Sequence, residues 1–160
     1  MNDRETAISE APALDAGAGR LLEAIASACD CEMTFVARLQ AALASALAFL
    51  AAEPALARLL ARRPYTDAEA MRARQAWLER YGVRLRRAAA SDPSTSVNPP
   101  FVEPAILSGV AFSISRRLQS SGAEQLPSLL PEILGYLLSY YLGPEEAWRI
   151  ASASRAALGE

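Results

Sequence analysis

An all-α fold, an antiparallel bundle of about seven helices, is what the sequence predicts, on three observations. Apolar residues recur at three- and four-residue steps in one segment after another. No stretch alternates for long with the period of two that marks a half-buried strand. Proline and glycine fall at the edges of the periodic segments, as at Pro54 and Gly143-Pro144, where helices begin and end. The chain of 160 residues is 52% hydrophobic, enough for one domain with a core and too short for two independent ones.

Residues 1–14 are polar and rich in Pro and Ala, and are expected to form a loose N-terminal tail ahead of a helical domain over 15–160. A first helix from about Asp15 to Cys29 sets Leu21, Leu22, Ile25 and Cys29 on one side. A second, roughly Met33 to Ala52, carries the stripe Phe35, Leu39, Leu43, Leu47 and Leu50. Pro54 opens a short third helix, "PALARLLARR", because its missing N–H is not needed in a first turn. Thr66 and Glu69 form a T-x-x-E capping box for a long fourth helix to about Ala90. Its inner row is Ala70, Met71, Arg74, Trp77, Leu78, Tyr81, Leu85 and Ala88. "SDPSTSVNPP" is a loop on composition. The fifth helix, about Val102 to Ser121, presents Ile106, Val110, Ile114 and Leu118, and Gly122 is placed to end it. Pro127 is expected to start the sixth, with Pro131 restarting or kinking its first turn. Gly143 closes it, and Pro144 opens a seventh helix with Glu145 and Glu146 at the favourable end of its dipole.

The sixth helix is the least ordinary. Glu132 is the only charge between Leu126 and Leu142, so more than one face needs cover. Pro131, Gly135 and Ser139 make a shallow four-spaced row flanked by Leu134, Leu138 and Leu142. In the fifth helix Ala105, Gly109 and Ser113 do the same, beside Phe112. Small residues in such a row let backbones approach closely. These ten residues are the expected interface of a two-fold homodimer.

The composition excludes several chemistries. All sixteen basic residues are Arg, and no His is present, which removes Ser-His-Asp and Cys-His catalysis and imidazole metal sites. With the abundant Ala, the all-Arg usage suggests a GC-rich bacterial genome. Cys29 and Cys31 have no second pair to complete a zinc site. No Gly-rich phosphate loop or carboxylate cluster is found, so neither an enzyme nor a cofactor is expected. The N-terminus lacks the basic start and apolar run of a signal peptide. The Leu126–Leu142 stretch is short for a span and carries Pro131 and Glu132. The expectation is a cytoplasmic protein that makes no use of a membrane. Nine arginines between Arg58 and Arg87 face only Asp67, Glu69 and Glu79, a basic surface of the kind that touches phosphate or simply wets a helix.

"ALASALAFLAAEPALARLL" (41–60) and "LPSLLPEILGYLLSYYLGPEEA" (126–147) resemble the C-terminal regulatory domain of TetR/AcrR-family transcription regulators. There, a helix ending in "FL...EP" leads into a short helix, and the chain's end reads Leu-Pro, leucines, then Tyr-Leu-Gly-Pro-Glu-Glu-Ala. The likeness runs from about Asp15 to the C-terminus. It implies a homodimer and an effector cavity among the second, fourth and fifth helices, sensing a small, largely apolar molecule. Phe35, Leu39, Phe49, Arg74, Trp77, Tyr81, Ser108 and Phe112 would line it. The family's N-terminal helix-turn-helix finds no match in "MNDRETAISEAPALDAGAG", so DNA binding by this chain alone is not expected. The alternative is a helical dimer whose cavity is filled by side chains and which acts through protein contacts. An open chamber lined by those aromatics favours sensing; a solid core favours the second reading.

Overall fold

The computed structural model describes the backbone of residues 3–29, 34–61 and 68–157 and Gly159; its side chains are described from residue 16 on, except 59–61, 68–71, 73, 74 and 77. Among the described residues it is all-helical, with seven α-helices and no strand. The helices are α1 (Asp3–Ala28), α2 (Phe35–Ala52), α3 (Pro54–Ala61), α4 (Ala68–Ala90), α5 (Val102–Ser121), α6 (Leu130–Leu142) and α7 (Pro144–Ala157). A 3₁₀ segment, Ala123–Leu129, joins α5 to α6.

Local chemistry sets most of these boundaries. The Thr34 hydroxyl accepts from the Ala37 amide at 3.3 Å, an N-cap for α2. Asp92, far along the chain, adds a second cap by accepting from the Phe35 amide at 3.0 Å. Gly122 (φ 87°) stops α5 and Gly143 (φ 83°) stops α6, in backbone conformations that side chains with a Cβ rarely adopt. Thr66 and the Glu69 side chain, the expected capping box, lie outside the described residues.

Two boundaries differ from expectation. α1 begins at Asp3 rather than near Asp15, and its backbone runs through Pro12. The α6 helix begins at Leu130, with Pro127 inside the 3₁₀ segment. The Pro131 ring would meet the carbonyl four residues back, so an α-turn cannot run through 127–131.

The core is centred on α6 and α2. Leu126, Leu134 and Leu138 have no exposed surface, and Phe35, Leu47, Ile106, Ile133, Leu137 and Tyr141 have almost none. The Phe35 and Tyr141 rings meet at 5.0 Å, tilted by 60°. The predicted stripe of α2 is confirmed: Phe35, Leu39, Leu47 and Leu50 are buried, with Leu43 packed beside them. By length and composition this helix could cross a membrane; here it supplies core.

The second face of α6 is covered by its own chain. α7 packs along it more extensively than any other pair of helices. A Cβ on Gly135 would sit 3.0 Å from Ala151 Cβ. Ala147, Ala151 and Ser154 are the buried residues of α7, so small residues on both helices allow the close approach. Pro131, Leu134 and Leu138, expected at a contact with a second copy, are therefore enclosed within one chain, and Gly135 faces α7.

Candidate functional site

Six of the eight residues expected around an effector have described side chains. Phe35 and Leu39 are spent in the core. Phe49 is half-buried with the Arg20 guanidinium 5.9 Å from its ring centroid. The Ser108 hydroxyl donates to the Pro104 carbonyl at 2.8 Å, one turn back on its own helix. Tyr81 is half-buried, its phenol pushed up to about 12 by burial against the pull of Arg84 and Arg80. Phe112 points outward, 54% exposed. The Arg74 and Trp77 side chains lie outside the described residues. Two surface clefts are open to solvent, and none of the six described side chains lines either. One, of about 590 Å³, follows the α6–α7 turn from Leu142 to Arg149. The other, of about 520 Å³, lies between α4 and the start of α5.

Beneath this second cleft is a feature that sequence reasoning missed. Glu103, in the first turn of α5, is completely buried. Its Oε2 accepts from Arg86 Nη2 at 2.6 Å and Nε at 3.1 Å. Arg86 Nη2 also donates to the Pro100 carbonyl at 2.6 Å. The hydrogen bond to Glu103 first, supported by the Glu103 charge, raises the Arg86 pKa further against desolvation by burial. Gly82 allows the approach, since a Cβ there would lie 3.1 Å from Glu103 Cβ. Burial first, then the Glu103 charge, holds the Tyr141 phenol at about 12, against the pull of Asn98 and Arg86. Neither Glu103 Oε1 nor the Tyr141 hydroxyl completes a hydrogen bond of ordinary geometry, although the two groups act on one another electrostatically. An acidic residue at a helix start normally reads as a dipole partner in water, so the sequence offered no signal for this one.

The outer surface of α5 and α6 gathers several exposed aromatic residues, though Phe101 and Trp148 elsewhere are individually more exposed. Gly109 lies under the Tyr136 ring, and Arg116 pairs with Glu132 at 3.7 Å, so the two helices run antiparallel here. Along this seam Phe112 is 54% exposed, Tyr140 41% and Tyr136 37%. The two tyrosine rings meet edge-on at 5.5 Å. Of the expected interface, Ala105 and Phe112 are exposed, Gly109, Ser113, Ser139 and Leu142 are half-buried, and the Ser139 hydroxyl donates to the Tyr136 carbonyl at 2.7 Å. The sequence reading placed its expected interface on this same pair of helices. It missed Tyr136 and Tyr140, whose apolar pattern does not distinguish core from surface.

On α4, Arg72, Arg80, Arg84 and Arg87 are exposed, and no ion pair to them is found among the described residues. No group of three or more Cys, Asp or Glu able to hold a metal occurs among the described residues. No family model, curated protein or solved structure matches the chain.

Proposed function

We propose that the chain is a helical dimerisation module of the kind that TetR/AcrR regulators carry beside their DNA reader, and that it works through protein contact rather than effector sensing. The observation that supports this is the aromatic seam: Phe112, Tyr136 and Tyr140 stay exposed on two antiparallel helices whose other faces are packed. Exposed aromatics grouped on one face are typical of interface cores. A face built from one helix pair can meet its own copy about a two-fold axis. The packing of Phe35 and Leu39 and the outward position of Phe112 favour this reading over sensing.

Sedimentation of the full chain tests it. The wild type should sediment as a dimer at micromolar concentration, and Phe112→Glu with Tyr140→Glu should give a folded monomer. A wild type that stays monomeric would sink the reading. An apolar effector that binds tightly and raises the melting temperature of both forms would restore the sensing alternative.

A further inference from the structure

The chain as a whole carries a net charge of −2, yet α4 concentrates cations on one side. Arg72, Arg80, Arg84 and Arg87 fall within about 120° of helical arc, all exposed. Beside this arc runs the cleft of about 520 Å³ between α4 and α5. Val83, Pro100, Phe101 and Pro104 supply its apolar lining, and Phe101 is 74% exposed.

An exposed phenylalanine on a loop is often only a frayed end; this one is held. Val102 N donates to the Pro99 carbonyl at 3.0 Å, closing a turn around Pro100 and Phe101. Arg86 ties Pro100 to α4 and is itself fixed by the buried Glu103. A pre-positioned aromatic loses little entropy on binding, which is the condition for an anchor contact.

We propose that the outer face of α4 and the adjoining α4–α5 cleft form a docking surface for an acidic, amphipathic peptide segment of a partner protein. Carboxylates of the segment pair with the arginine row, and its apolar side chains pack on Phe101, Val83 and Pro104. Charge complementarity selects the partner, and the apolar strip sets its register. Glu79 lies in the cleft with Gln75 donating to it at 3.0 Å. The apolar strip of Val83, Phe101 and Pro104 offers nothing to a phosphodiester backbone and favours a segment that carries apolar side chains.

Fluorescence anisotropy on the full chain decides the matter. The probe is a short labelled peptide of Glu, Asp, Leu and Phe; the comparators are the same peptide with Ser for Leu and Phe, and a single-stranded oligothymidylate. The acidic apolar peptide should bind best. Arg80→Glu with Arg84→Glu should weaken it by about tenfold or more, and Phe101→Ser by about tenfold, with helical content unchanged. If Phe101→Ser leaves the affinity intact, the surface is only a diffuse cation field and the proposal fails. It fails also if the oligothymidylate binds more tightly than the peptide, which would make α4 a nucleic-acid face. These variants leave Phe112, Tyr136 and Tyr140 in place, so the oligomeric state reports separately on the α5–α6 seam.

Discussion

At Glu103 the first turn of α5 places a carboxylate out of reach of water, and Arg86 answers it from α4. Replacing one partner of such a pair leaves the other charge buried and uncompensated, which destabilises more than the pair itself stabilises. Arg86→Met should therefore lower the melting temperature clearly further than Arg87→Met, which changes an exposed arginine. Equal melts would mean that Glu103 does not depend on Arg86 for its place in the fold. Tyr141 gives a second test. Its folded pKa of about 12 lies above the ordinary 10.0, so its neutral form favours the fold. That contribution is complete below pH 10 and is lost as pH rises through 12. Tyr141→Phe has no proton to lose, so the alkaline unfolding limb should become shallower in a pH series of denaturant melts. Tyr81, also pushed up to about 12, keeps part of the slope in place. Asp92 acts at the other end of the scale. The Ser94 side chain first, then the Phe35 amide, hold its carboxyl below 3.8. Its contribution is complete well above that value and is lost as the pH falls through the lower folded value, so Asp92→Asn should flatten the acid limb.

Among the elements, α6 and α7 behave as one unit, with Gly135 of α6 set against Ala151. Gly135→Leu should overpack that crossing and cost about 1–3 kcal/mol in urea unfolding, without the change of oligomeric state expected if Gly135 lay between two copies. The stripe of α2 and the glycine stops of α5 and α6 were legible in the sequence because periodicity and positive φ leave residue-type signatures. The partner of α6 was not. The buried residues of α7 are Ala147, Ala151 and Ser154, too small to register as a hydrophobic stripe, so close approach rather than greasiness does the covering. The pairing of Arg86 with the buried Glu103 escaped for a related reason: charge in sequence reads as surface until a neighbouring glycine, here Gly82, brings two helices together. Periodicity names a face but not what fills the space opposite it, which is why Phe112 was expected inward and is exposed.

For the whole molecule, the exposed seam of Phe112, Tyr136 and Tyr140 should couple stability to concentration. A dimer that forms only from folded chains gains stability by mass action, so its melting temperature rises with protein concentration. Thermal scans across a dilution series should show that rise for the wild type and none for Phe112→Glu with Tyr140→Glu. A flat wild-type series would point to a monomer with an unused surface.

The segment between α4 and α5 is fastened along its length. Asp92 receives the Phe35 amide, Ser96 N donates to the Tyr141 carbonyl at 2.8 Å, Asn98 donates to the Tyr140 carbonyl at 3.2 Å, and Pro100 accepts from Arg86. By composition it is the obvious place to cut the chain or to insert a tag, since polar, proline-bearing loops usually tolerate both. Its bonds reach α2, α4 and the end of α6, so it serves as a strap across three helices rather than as slack. Proteases in limiting amount should spare it, and a tag placed after Ser96 should lower the yield of folded protein while the same tag at the C-terminus does not.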